Sequence, residues 1–260
     1  MLEDSTKDKI VTFIFSVISG LIVAGIQQNV SLTWFSNPIT YLLPFLVAML
    51  VAIVAYLSLN ILNFRSLGIR RMLTSTIKGE GGTKSQMSIA RQNLYFMGIA
   101  SSKWVKETKE FEAMLRRICS MNSGSIRFLL LDPDSESAKK LSLTKETKEN
   151  TVKITIDTSL QSIKKILTAL KDESDYDAIK ERFEVRLYTQ TPVYRLVLID
   201  NNRAYLSFYG RGNSDGHEMK QIVIYPSKNI ADKQNIFNAL SEYFESVWVA
   251  NEKNKYDLFS

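Results

Sequence analysis

Two apolar runs near the N-terminus, residues 10–26 and 39–62, contain no charged side chain, and the connector at 27–38 contains none either. A bilayer core of about 30 Å needs roughly 20 apolar helical residues. The second run exceeds that length, and the first reaches it when Gln27 and Gln28 sit among the headgroups. The sequence therefore predicts a transmembrane helical hairpin over residues 1–67, with spans at about 10–28 and 39–62. Lys7 and Lys9 precede the first span, and Arg65, Arg70, Arg71 and Lys78 follow the second. By the positive-inside rule both termini are cytoplasmic and the uncharged connector faces outward, with Trp34, Phe35 and Tyr41 suited to an aromatic belt. The predicted location is the inner (plasma) membrane, and the lipid bilayer is the first predicted partner. A cleaved signal peptide fits less well, because Glu3, Asp4 and Asp8 offset the two leading lysines. Ser16, Gly20 and Ala24 recur every four residues, as do Ala48 and Ala52, a spacing that lets helix backbones approach closely in lipid. That spacing serves packing of the two spans on each other or assembly into a homo-oligomer, and both readings stay open. No ionisable group lies inside either span, so nothing suggests an ion pathway.

The rest of the chain is long enough for one domain with a real core. Three basic and three acidic residues cancel within residues 1–67, so the whole formal charge of +6 belongs to the predicted cytosolic part. A mild positive charge beside an anionic leaflet is most simply a membrane-surface adaptation. It also admits nucleic acid or phosphorylated ligands. One cysteine, Cys119, excludes a disulfide framework and a cysteine zinc site, and one histidine, His217, excludes a multi-histidine metal centre within the chain. No metal site and no cofactor is predicted.

Residues 63–77 read as a basic juxtamembrane helix, and the glycine-rich stretch 79–83 as a flexible break, so residues 68–84 form a helix and linker before a domain at 85–260. The runs LYFMGI (94–99) and IRFLLL (126–131) read as buried strands around a helix over 103–121 that carries Trp104, Phe111, Met114, Leu115 and Ile118. Strand, helix and parallel strand make a βαβ unit. The stretch 135–182 is helical in character. FEVRLY (183–188) is a third strand, YRLVLID (194–200) and AYLSFY (204–209) flank a hairpin turn, QIVIY (221–225) is a further strand, and 235–249 is a closing helix. The fold class is α/β, a mixed-sheet sandwich with helices on both faces.

The order of these pieces, from LYFMGIASS through GSIRFLLLDPDSE to FEVRLYTQTPVYRLVLIDNNRAYLSFYGRG, resembles the phospholipase D-like family over roughly residues 86–251. That family carries His-x-Lys-x-x-x-x-Asp on one strand and Gly-Ser-x-Asn at the end of the next. Aligned on Ile199-Asp200, this chain has Val193 in place of the histidine, Arg195 in place of the lysine and Asp200 at the aspartate. The strand end reads Ser207-Phe208-Tyr209-Gly210. The family's chemistry needs a histidine nucleophile on phosphorus and a second histidine as acid. Valine does neither, whereas arginine still offers a planar fork of donors to phosphate. The resemblance thus implies a site for a phosphate-bearing ligand, with Arg195, Asp200, Ser207, Tyr209, Arg211 and Lys220 as its candidate residues and no catalytic residue. His217 is a weak catalytic candidate, because it lies after the motif and a loop histidine is more often simply exposed. The loop 210–216 is glycine-rich but lacks the phosphate-loop pattern. Ser101, Ser102 and Lys103 open a helix, where Ser101 reads better as an N-cap than as part of an anion site. Asp132 and Asp134 suit a turn around Pro133 or a ligand at the strand ends. Tyr188, Tyr194, Tyr205 and Tyr209 suit half-buried framework better than stacking on a base.

Three functions compete. The first is a membrane-anchored, non-catalytic sensor or effector that binds a phosphate-bearing ligand, with a nucleotide as one candidate, and passes a change to the hairpin. Its layout is similar to that of small bacterial defence effectors that damage the inner membrane, a likeness of layout only. The second is an active membrane-bound phosphodiesterase or nuclease that uses His217 from each protomer of a dimer. The third is a membrane-tethered scaffold that recruits a protein partner.

Overall fold

The computed structural model describes residues 49–54, 56–59, 67–73, 82–144, 151–209, 220–226 and 235–259. The chain divides into two compact units, Met1–Leu67 and Gly68–Ser260. In the first, residues 49–54 and 56–59 are helical. Met49, Leu50, Ile53, Val54, Tyr56 and Leu57 are all exposed there, from 43% for Ile53 to 67% for Tyr56. Most of both apolar runs lies outside the described residues, and no described helix is long and apolar enough to cross a membrane.

The second unit is built on seven strands: β1 (Ile69–Leu73), β2 (Asn93–Gly98), β3 (Ser125–Leu131), β4 (Phe183–Tyr188), β5 (Tyr194–Ile199), β6 (Arg203–Phe208) and β7 (Gln221–Ile224). They form one mixed sheet in the order β1-β7-β6-β5-β2-β3-β4. β2, β3 and β4 run parallel, and every other neighbouring pair is antiparallel. The helices are α1 (Thr83–Ile89), α2 (Ser102–Lys106), α3 (Thr108–Cys119), α4 (Glu136–Thr144), α5 (Thr151–Ala169), α6 (Tyr176–Arg182) and α7 (Ile236–Ala250).

Chain chemistry explains the division into two halves. Phe128, Leu129, Leu130 and Leu131 of β3 are all fully buried, as expected of a parallel strand covered on both faces. On one face Phe96, Trp104, Phe111, Phe128 and Phe183 interlock, with ring centroids 5.2–6.1 Å apart. Each such ring contributes about 1.5–3 kcal/mol when buried. α3 supplies its share because Phe111, Met114, Leu115 and Ile118 recur at three- and four-residue spacing on one side of the helix. On the other face α7 stacks Phe244 on Tyr95 at 5.3 Å. Its Trp248 lies between the guanidinium groups of Arg186, at 4.1 Å, and Arg127, at 5.4 Å.

Two sequence expectations need correction. The basic helix expected over 63–77 does not form in its described part, where residues 69–73 are the edge strand β1 paired with β7. Gly68, at φ +88°, takes the left-handed conformation that stops a helix, and its carbonyl accepts the Tyr225 N–H at 2.9 Å. The single helix expected over 103–121 is two helices, because Glu107 leaves helical geometry at ψ 60°. The expected turn between β5 and β6 is present. Asp200 and Asn201 both have positive φ, near +51° and +52°, and the Asn202 N–H reaches the Ile199 carbonyl at 3.0 Å, which is a type I′ hairpin.

Candidate functional site

Antiparallel register sets three polar side chains in a row across the sheet. Arg195 of β5 pairs with Ser207 of β6, and Ser207 pairs with Gln221 of β7. Directly paired residues point to the same face, and strand spacing puts the Arg195 and Gln221 Cα atoms about 10 Å apart. Ser207 and Gln221 are fully buried and Arg195 is 6% exposed. A short serine flanked by two long side chains makes a cradle.

The electrostatics of the row are unusual. Arg195 donates from Nη2 to Gln86 Oε1 of α1 at 3.2 Å, and its guanidinium lies 5.7 Å from the Phe96 ring centroid. No carboxylate among the described residues pairs with it. Burial pulls its pKa below the ordinary arginine value, with Tyr209 opposing that shift. Even so, guanidinium keeps its proton in proteins. Arg195 Nε, Ser207 Oγ, and both Nε2 and Oε1 of Gln221 are buried and, among the described residues, without a hydrogen-bond partner. Buried polar groups are normally satisfied, and each exception calls for a cause such as a bound ion or water.

Tyr209 closes the end of the row. Its hydroxyl accepts the Ile99 N–H at 3.0 Å. Burial raises its pKa, while the Ile99 bond and Arg195 pull the other way. Gly98 makes room for this contact, since a Cβ there would fall 3.0 Å from Tyr209 Oη and 2.8 Å from Phe96 Cζ. Val193, at the motif's histidine position, is 64% exposed and receives the Tyr209 N–H on its carbonyl. It brings neither a nucleophile nor a proton.

Of the six binding candidates, the structure brings Arg195, Ser207 and Tyr209 together. Lys220 precedes β7 and is exposed. Arg211 and His217 lie outside the described residues. Asp200 sits five residues from Arg195 along the chain, about 16 Å at strand rise. Its carboxylate is occupied by the backbone N–H groups of Arg91, Gln92 and Asn93 at 2.7–3.1 Å. It ties the hairpin turn to the segment entering β2, beside Arg117, which donates to the Ala90 and Met87 carbonyls. Asp200 is therefore a fold residue here.

Gln221 and Gln86 belong to the site, and the sequence reading did not single them out. Ser101 is fully buried, makes no cap hydrogen bond, and its hydroxyl has no partner among the described residues. Asp132 forms the turn, accepting the Asp134 N–H at 2.9 Å, and Asp134 pairs with Lys153. Tyr188 and Tyr205 are buried framework, while Tyr194 packs on Phe208 and Tyr243. A groove of about 360 Å³ between α4 and α5 is lined by Asp134, Asp157, Lys139 and Lys153, whose charges balance. Among the described residues no group of His, Cys, Asp and Glu is placed to hold a metal ion.

No protein-family model and no curated protein matches the chain. Solved structures with a similar trace include TrmBL2, an archaeal chromatin protein whose structure shows a mode of DNA binding, at 12% identity and TM-score 0.38 over 70% of this chain and 53% of that one. Phosphatidylserine synthase of Haemophilus influenzae Rd KW20 is similar at 10% identity and TM-score 0.43, over 71% of this chain and 38% of that one. Nuc of Salmonella typhimurium, a phospholipase D family member, is similar at 10% identity and TM-score 0.34, over 67% of this chain and 87% of that one. The chain thus spans about half the length of the chromatin protein and less of the synthase. At these TM-scores the likenesses do not establish a shared fold, and the mixed α/β sheet stands on its own topology.

Proposed function

We propose that the chain is a membrane-anchored, non-catalytic sensor or effector of phospholipase D-like type, whose cytoplasmic domain binds a phosphate-bearing ligand at Arg195. The observation that carries this reading is a buried guanidinium that has, among the described residues, an unpartnered Nε and no paired carboxylate, set beside donors on Ser207 and Gln221 that are likewise unpartnered there. An arginine in that state wants an anion, and planar, bidentate recognition of phosphate is what a guanidinium does best. The charge-free runs at 10–26 and 39–62, and the apolar side chains left exposed along residues 49–57, support anchoring in lipid. The element order and the arginine at the motif's lysine position support the phospholipase D-like reading. The valine at its histidine position speaks against a phosphodiesterase. A role in bacterial defence, with ligand binding passed to the hairpin and assembly through the spans, follows from the layout alone.

The test is equilibrium binding to the full chain in detergent, with inorganic phosphate, nucleotides, cyclic nucleotides and lipid headgroups as probes. Wild type is expected to bind at least one of them, and Arg195→Ala to bind none. Wild type that binds no anion, or Arg195→Ala that binds as well as wild type, refutes the anion site.

A further inference from the structure

The cradle has a donor and acceptor pattern that narrows the ligand further. Arg195 Nε, the Ser207 hydroxyl and Gln221 Nε2 are three donors, suited to the negative oxygens of an oxyanion. Gln221 Oε1 is different, because a carbonyl oxygen accepts and never donates. It is equally buried and, among the described residues, equally without a partner, and the neighbour of Gln221 on its other side is the apolar Leu73 of β1. An anion made only of acceptors satisfies the three donors and leaves Oε1 facing an oxygen that repels it. A phosphate that keeps one P–OH satisfies all four atoms. The Gln221 amide then forms a two-point contact, N–H to a P–O⁻ oxygen and C=O from the P–OH hydrogen.

We propose that the row Arg195–Ser207–Gln221 is selective for a terminal phosphate that carries a proton, either inorganic phosphate or the monoanion of a phosphomonoester, and that it discriminates against sulfate and phosphodiesters, which have no such hydrogen. This rests on the anion-binding reading above and adds the class of ligand. Sulfate has nearly the shape of phosphate, so selectivity between them isolates the proton from size and charge-bearing oxygens.

The experiment titrates the full chain in detergent at pH 6 with inorganic phosphate, methyl phosphate, sulfate and dimethyl phosphate. At that pH about half of a phosphomonoester is monoanion. Inorganic phosphate is expected to bind about tenfold or more tightly than sulfate and dimethyl phosphate, the discrimination that follows from leaving a buried acceptor without a donor. Methyl phosphate joins the tight group when the source is a monoester and the weak group when it is free phosphate. Gln221→Met, which keeps side-chain length and removes the donor and the acceptor together, is expected to erase the preference, so that phosphate and sulfate bind alike and phosphate binds more weakly than to wild type. Ser207→Ala removes a donor only and is expected to weaken both anions alike, with the preference kept. Equal binding of phosphate and sulfate by wild type, or a preference that survives Gln221→Met, overturns the selectivity while leaving the anion site standing. Wild type that binds none of the four overturns the anion site itself, and the selectivity with it.

Discussion

Replacing Arg195 with methionine separates a ligand-binding arginine from a structural one. Taking a guanidinium out of water costs several kcal/mol even after relaxation. The fold returns one charge-assisted hydrogen bond, donated to Gln86 Oε1, about 1.5–3 kcal/mol. It adds a cation–π contact with Phe96 worth about 0.5–2 kcal/mol. No described carboxylate supplies the rest. Methionine has similar length, keeps the buried stem and removes the charge, while Gln86 loses a donor at about 1 kcal/mol. The balance in anion-free buffer is a variant more stable than wild type by about 1 kcal/mol, or roughly 2–4 °C in Tm for a domain of this size. Thermal unfolding of the full chain in detergent, followed by circular dichroism, reads this directly. Saturating anion should reverse the order, because it stabilises only wild type. A variant that loses more than about 2 kcal/mol in anion-free buffer would show that the fold itself neutralises Arg195, and the argument from an uncompensated charge would fail.

Three further outcomes are expected. Asp200→Ala should cost about 3 kcal/mol by freeing three backbone N–H groups at a left-handed position, Asp200→Asn clearly less, and neither should change anion affinity; chemical denaturation checks the first and titration the second. Gly124→Ala should destabilise strongly, because a Cβ there would fall 1.8 Å from the Ile118 carbonyl oxygen, which sits in helix backbone with no room to shift; an unchanged Tm would contradict the geometry. Burial pushes the Glu184 carboxyl up, but hydrogen bonds from Arg186 and Lys255 outweigh it and hold the group below the ordinary carboxylate value of 4.5. A depressed native pKa adds stability that is present above the unfolded value and lost as pH falls through the native one. Glu184→Gln should therefore show a shallower loss of stability below about pH 4.5 than wild type, measured by unfolding across pH 3–6.

The framework was legible wherever neighbours in sequence decide the structure. LYFMGI is an unbroken apolar run, IRFLLL is apolar but for Arg127, and FEVRLY alternates apolar residues with Glu184 and Arg186, and they are β2, β3 and β4. Asn201-Asn202 announced the β5–β6 turn. β1 was illegible because residues 63–77 have helix-compatible composition, and what makes 69–73 a strand is pairing with β7, some 150 residues on. The site was half legible for the same reason. Arg195 and Ser207 fall on a recognisable motif, whereas Gln221 opens a strand and resembles a solvated flank until register places it beside Ser207. The aspartate position of the motif misled, because the partners of Asp200 lie more than 100 residues earlier and are backbone groups that no side-chain pattern reports.

The division of the sheet between a meander and a parallel half also bears on the order of assembly. β5 and β6 close over a three-residue connection, whereas pairing β2 with β5 joins segments about 100 residues apart and closes a much larger loop. The meander is therefore expected to form early, with Arg195 still hydrated, and the guanidinium loses its water only when α1 and β2 arrive with Gln86 and Phe96. Substitutions in the turn should slow refolding, and Gln86→Ala should act mainly on the unfolding rate; stopped-flow chevrons showing the opposite would reject that order. The charge proposed to serve recognition would thus be desolvated after the rate-limiting step, so the domain can carry it without slowing its own folding.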